Sequence, residues 1–193
     1  MPSRRQSRRT RGAALLAAVV LAGSCSGDGG SADETIRLAD GTGVFIAVDR
    51  RDVAPVLRGV SLTGETVDTG LFRGGALVLN IWGSWCPPCI KEQPELGRAA
   101  QDSSALGTRF VGLNVRDSRE DALAHVKRFG VTYPSLFDNT QRLQAKFRRI
   151  PAQTIPTTIV IDREGRVASY LFGATTYDEI MRIIRRVAEE SPR

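Results

Sequence analysis

The chain has 193 residues, of which 41% are hydrophobic, with three cysteines and a net charge of +6, enough for one domain with a core of ordinary size. The charge excludes a nucleic-acid partner rather than inviting one. Arg4, Arg5, Arg8, Arg9 and Arg11 lie in a leader without acidic residues and leave about +1 for the rest, where Lys and Arg are scattered among Asp and Glu.

The leader has an arginine-rich start, an apolar run from Ala13 to Ala22 and a small-residue site ending in Cys25. This is the pattern of a secretory signal over residues 1–24, short for a permanent membrane span. Neither arginine pair is followed by the apolar residues of a twin-arginine signal, which favours the general secretory route. Leu21-Ala22-Gly23-Ser24-Cys25 resembles a bacterial lipobox, with Ala22 where Leu is usual, and the resemblance implies that Cys25 carries lipid. Cys86 and Cys89 then remain as one pair, outside the cytoplasm, where disulfides persist. Ser26 to Thr35 lacks apolar periodicity and reads as a tether, within a linker expected over residues 25–52. A folded domain is expected over 53–193.

A short strand is expected at Val44–Val48. Val60-Ser61-Leu62 and Thr66-Val67 flank the turn Thr63-Gly64-Glu65 as a hairpin. Leu77–Trp82 is an apolar run suited to a strand buried on both faces, and a helix carrying the cysteine pair follows it toward Ala100, kinked by Pro94. Phe110–Val115 is the next core strand. Ser118 and Asp121 open a helix with Ala122, Leu123, Val126 and Phe129 on one face. A short strand at Ser135–Phe137 and a helical turn at Leu143–Phe147 come next, then strands Thr158–Asp162 and Arg166–Phe172 joined by Arg163-Glu164-Gly165. Thr176 and Glu179 form a capping box for a last helix with Ile180, Ile183, Ile184 and Val187 at helical spacing. Strands alternating with helices and a closing hairpin make an α/β sheet domain.

Two cysteines separated by two residues, where a strand gives way to a helix, have the wiring of a dithiol/disulfide centre. A helix N-terminus favours thiolate over thiol, so Cys86 is expected to be the acidic, exposed nucleophile. Cys89, one turn further in, is the resolving thiol. A peroxidase is disfavoured, because the residues three before Cys86 and Cys89 are Gly83 and Cys86 rather than Ser or Thr. Two thiolates holding Cu(I) remain an alternative of another class, although neither Met nor His lies near the pair. A structural zinc site would need about four ligands. A disulfide that merely staples so small a loop would remove little chain entropy. His125, beside Val126 and Lys127, is expected at the surface.

Leu71-Phe72-Arg73-Gly74, the stretch Leu79 to Cys89 (Leu-Asn-Ile-Trp-Gly-Ser-Trp-Cys-Pro-Pro-Cys), Pro94 and Ile155-Pro156-Thr157-Thr158 together resemble the thioredoxin superfamily. Within it they are similar to the redoxin-type, TlpA/ResA-like branch of membrane-anchored bacterial thiol-disulfide oxidoreductases. The resemblance covers roughly residues 54–190. It implies a thioredoxin fold with an N-terminal β-hairpin extension and an αβ insertion, here Asp117–Phe137. It also implies a cis Pro156 beside the disulfide, with the backbone of Ile155 open to pairing with a client, and Trp85 shielding the disulfide and forming part of the client groove. Asn80 stands where thioredoxins have a buried Asp. Asp117, aligned with an active-site Glu of some members, is the expected carboxylate modulator of the thiols, with helix capping as its other reading. The implied activity is reduction of client disulfides, of the cytochrome c maturation or copper-site assembly type, with oxidation of secreted thiols as the alternative. The implied partners are a client protein with a disulfide or dithiol, a membrane electron-donor protein and the membrane itself through the lipid anchor. A monomer on the outer face of the cell membrane, with no cofactor beyond the Cys86–Cys89 disulfide, completes the expectation.

Overall fold

The computed structural model describes residues 32–151 and 153–190, so the expected signal sequence and Cys25 lie outside the described residues. Among the described residues, nine strands and three α-helices follow in chain order. They are β1 (Glu34–Leu38), β2 (Asp40–Phe45), β3 (Arg58–Val60), β4 (Thr66–Asp68), β5 (Leu77–Trp82), α1 (Pro87–Asp102), β6 (Arg109–Val115), α2 (Arg119–Phe129), β7 (Ser135–Asp138), β8 (Thr157–Ile161), β9 (Val167–Ala174) and α3 (Tyr177–Ala188). Seven strands form one sheet in the order β1-β2-β9-β8-β5-β6-β7, and β3 pairs with β4 as a separate hairpin.

All six residues of β5 are buried, because β5 sits mid-sheet, parallel to β6 and antiparallel to β8. Alternation of side chains along a strand divides it between two cores. Leu77, Leu79 and Ile81 join Leu57, Val67, Leu113 and Leu136 on one face. Val78 joins Leu96, Ala99, Ile180 and Ile184 on the other, under α1 and α3. Asn80 and Trp82 share the parity of Val78, so the polar Asn80 is carried beneath α1, where it needs a partner.

The helix starts follow the sequence. Ser118 Oγ accepts the Asp121 amide at 3.0 Å. Thr176 and Glu179 complete a reciprocal capping box, the Glu179 carboxylate accepting the Thr176 amide at 2.8 Å. Pro94 lies inside α1, which continues through it to Asp102. The insertion after β6 forms α2 and β7, and β7 extends the sheet in parallel with β6. Leu62 donates its amide to the Ser135 carbonyl at 2.8 Å, and the Arg119 guanidinium donates to the carbonyls of Ser61 and Leu62 at 2.8 and 2.6 Å. The insertion and the β3–β4 hairpin are thereby tied together.

One expectation changes. Where the sequence reads a tether and linker through residue 52, residues 34–45 form an antiparallel hairpin that pairs with β9 and extends the main sheet. Polar, glycine-rich Asp40-Gly41-Thr42-Gly43 looks flexible, yet Gly43 is needed for close approach: a Cβ there would lie 2.7 Å from the Leu171 side chain. The folded unit therefore begins well before residue 53.

Candidate active site

The chain leaves β5 at Trp82, passes Gly83-Ser84-Trp85 and enters α1 with Cys86 as the capping residue. Cys86 Sγ accepts the Cys89 amide at 3.3 Å, and the two sulfurs are joined in a disulfide with Cα atoms 5.3 Å apart. The helix start places Cys86 as expected, but Cys86 is only 3% exposed, against 1% for Cys89. The expectation of an exposed nucleophile is corrected: Leu62, Trp82, Ala122 and the flanking Ile155 close over the pair. What faces solvent is a collar of Trp85, Pro87 and Pro88. Trp85 is 48% exposed and folds back over Gly83, where a Cβ would stand 2.7 Å from the indole nitrogen. The Ile155–Pro156 bond is cis, and partly buried Ile155 packs against the cysteine cluster.

Asp117 is buried and lies against the loop that delivers Cys86. Its Oδ2 accepts the Ser84 amide at 2.7 Å and the Asn114 side-chain amide at 2.8 Å, while Oδ1 accepts the Ser84 hydroxyl at 2.8 Å. Capping of α2 belongs to Ser118, so Asp117 holds the loop before Cys86 and does not cap.

Two features were missed in the sequence. Glu92, three residues past Cys89 on the same face of α1, is 2% exposed. It accepts the Asn80 side-chain amide at 2.8 Å and the Thr175 amide at 3.1 Å. Burial pushes its carboxyl up to about 8, against the opposing pull of those two hydrogen bonds, so it holds a proton at neutral pH. The amide of Asn80 thus comes with a buried acid next to it. Cys89, Glu92, Leu96 and Ala99 form one helical stripe, which was the available clue.

His125 is the other, and its expected surface position is corrected. It is 6% exposed, packed between the tilted rings of Trp82 and Phe129 at centroid separations of 4.6 and 4.7 Å. Its Nε2 lies 3.4 Å from Gln93 Oε1, and Gln93 donates to the Tyr133 hydroxyl at 2.7 Å. Burial lowers its proton affinity, with nearby Asp117 opposing. It packs against the Trp82 ring, behind the strand end that leads to the cysteine pair. Among the described residues, no group of three or more His, Cys, Asp and Glu side chains is placed to hold a metal ion.

Residues 47–178 match the redoxin family model. The chain belongs to the redoxin family. It is similar to a secreted thiol-disulfide isomerase from Corynebacterium glutamicum (31% identity, 77% of this chain and 92% of that one, TM-score 0.73). It is also similar to a DsbF homologue from Corynebacterium diphtheriae (32% identity, 75% and 92%, TM-score 0.71). Among curated proteins it resembles the thiol-disulfide oxidoreductase ResA of Bacillus subtilis (strain 168), with 29% identity over 113 residues, 58% of this chain and 62% of that protein. The chain spans 61 to 65% of the first such relatives it matches. Within the redoxin family the chain is ResA-like in sequence and has the thioredoxin fold, with a Cys86–Cys89 disulfide at the start of α1.

Proposed function

We propose that this redoxin-family protein is an extracytoplasmic thiol-disulfide oxidoreductase, anchored by lipid on Cys25, that reduces disulfides in client proteins of the cytochrome c maturation or copper-site assembly type. The observation that carries the reading is a disulfide whose first cysteine caps α1, with Ile155 packed against the pair and the buried carboxyl of Glu92 one turn further along the helix. In the reduced protein the Cys86 thiolate attacks a client disulfide. The Cys86–client mixed disulfide forms, and one client sulfur leaves as thiolate and takes a proton. Cys89, on losing its proton, attacks Cys86 Sγ, closing the Cys86–Cys89 disulfide and releasing the second client thiol, so two electrons pass to the client. Recharging reverses these bonds: a donor thiolate opens the disulfide at Cys86, and Glu92 supplies a proton to the departing Cys89 sulfur. Trp85 and the backbone of Ile155 flank the attacked bond on the client side.

Reduction is favoured over oxidation by the surroundings of the sulfurs. A helix N-terminus stabilises the Cys86 thiolate and hence the reduced form. Burial of both sulfurs, with the carboxylate of Asp117 on the adjoining loop, opposes that charge and stabilises the disulfide. Equilibration of the protein against glutathione buffers decides the balance: a potential near that of thioredoxin, about −270 mV, is expected, and one above about −180 mV overturns the reductant assignment in favour of an oxidase.

Two further substitutions test the remaining parts. Asp117→Asn places an amide donor against donors already held by the carboxylate. It is expected to cost about 1–3 kcal/mol of stability, read from the denaturant midpoint, and to shift the pH profile of Cys86 alkylation. A lowered midpoint with an unchanged profile leaves Asp117 as a loop support alone. Cys25→Ala is expected to yield an exported protein lost from the membrane fraction; retention through a carbonate wash rules out the anchor.

A further inference from the structure

Arg116 is one of three non-glycine residues with positive φ among the described residues, at 51°, a left-handed conformation that long side chains rarely adopt. The turn sends consecutive side chains to two places around the same loop. Asp117 takes the Ser84 amide and hydroxyl, while the Arg116 guanidinium lies over the Trp85 indole, 4.7 Å from the ring centre. The cation thus sits on the exposed collar beside Cys86. Among the described residues no carboxylate lies within 4 Å of it, and its Nε is buried without a hydrogen-bond partner. The nearest acid in sequence, Asp117, already accepts three hydrogen bonds from Ser84 and Asn114. Arg119, three residues on and also over an aromatic ring, is by contrast engaged by the carbonyls of Ser61 and Leu62.

We propose that Arg116, held on Trp85, determines client specificity by receiving a carboxylate from an acidic residue adjoining the client cysteine that Cys86 attacks. The proposal rests on the oxidoreductase reading above. With Nε buried, a guanidinium stacked on an indole keeps its face on the ring and presents its two terminal nitrogens, whose N–H groups match a carboxylate with two parallel hydrogen bonds. The indole also keeps water from one side of the pair, which strengthens it relative to an ion pair in open solvent. A client lying across Trp85 toward Ile155 would be registered at one end by this contact, with its disulfide over Cys86. Client selection is thereby assigned to the residue next to Asp117 and not to the cysteines.

The test uses the reduced full-length protein and three short synthetic peptides. Each carries one cysteine in a mixed disulfide with neutral 2-thiopyridine, and they differ only in having Glu, Gln or Lys beside that cysteine. Attack of Cys86 on the peptide sulfur forms the mixed disulfide and releases thiopyridone, and Cys89 then frees the peptide thiol, so release follows the first step directly. The unmodified protein is expected to react with the Glu peptide about tenfold faster than with the Gln peptide, and slowest with the Lys peptide. The preference should shrink as salt rises. Arg116→Gln should bring the three rates to within about twofold of one another, and Arg116→Glu should reverse the order in favour of the Lys peptide, which a damaged or misfolded site cannot do. Three results overturn the proposal: no charge preference in the unmodified protein, the same preference in both variants, or a changed redox potential with the preference intact, which would make Arg116 a modulator of the thiols. Failure to react with any peptide overturns the oxidoreductase reading itself, whereas reaction without preference overturns only the role of Arg116.

Discussion

Replacing Cys86 by serine is expected to lower thiol-disulfide exchange by about three orders of magnitude or more, to the background of the uncatalysed reaction. The reason lies in the asymmetry of the pair. Cys86 Sγ occupies the cap of α1 and accepts the Cys89 amide, an arrangement that favours a negative sulfur at that position. Cys89 is directed into the domain, one turn along and beside buried Glu92, where a thiolate finds no such stabilisation. A serine hydroxyl at position 86 can take over the cap and preserve the fold but cannot exchange with a disulfide. Cys89→Ser has the opposite consequence: attack proceeds, resolution does not, and the client stays covalently attached to Cys86, where mass spectrometry can identify it. In the reduced protein Cys86 should be alkylated much faster than Cys89 near neutral pH. Equal alkylation rates, or exchange surviving in Cys86→Ser, would reverse the assigned roles.

Glu92→Gln is expected to flatten the pH dependence of stability between about pH 4.5 and pH 8. In the folded protein burial raises the carboxyl from 4.5 to about 8. Across that interval the native state binds the proton that the unfolded chain has already released, so wild-type stability falls as pH rises and levels off above about 8. At 1.36 kcal/mol per unit, the full interval amounts to roughly 3–5 kcal/mol. The glutamine side chain offers one acceptor where the carboxyl accepts from both Asn80 and Thr175, a loss of about 1–3 kcal/mol that does not vary with pH. The variant is thus expected to be less stable than wild type at pH 4 and to gain on it steadily toward pH 8. Denaturation midpoints across this range provide the measurement. Parallel curves for the two proteins would mean that Glu92 carries its ordinary affinity for protons and cannot supply one to Cys89 at neutral pH.

The elements that were legible in the sequence are those specified by neighbours in the chain. The all-apolar run of β5, the capping residues Ser118 and Thr176, and the turn between β8 and β9 each carry their own pattern within a few residues. Pro156 was legible by resemblance, through the motif around it. What escaped was set by contacts distant in sequence. The β1–β2 hairpin is polar and rich in glycine because it lies against β9, about 130 residues later, and nothing local distinguishes such a segment from a tether. His125 has Val126 and Lys127 as chain neighbours, and only the arrival of Trp82 from β5 buries it. Glu92 gains its role only where the parity of β5 turns Asn80 toward α1 and Thr175 arrives from beyond β9. The burial of Cys86 is likewise the work of Leu62 and Ile155, brought in from separate elements.

The direction of β1 fixes which pole of the domain is held and which is presented. Through the registers of β2, β9 and β8, Leu38 lies toward the end of the sheet where β5 stops at Trp82, and Glu34 toward the end where β5 begins. The chain therefore enters the fold at the pole opposite the disulfide. The proposed lipid on Cys25 would be joined to the domain at the pole remote from the sulfurs, leaving the face around Cys86 clear of the point of attachment for client and donor alike.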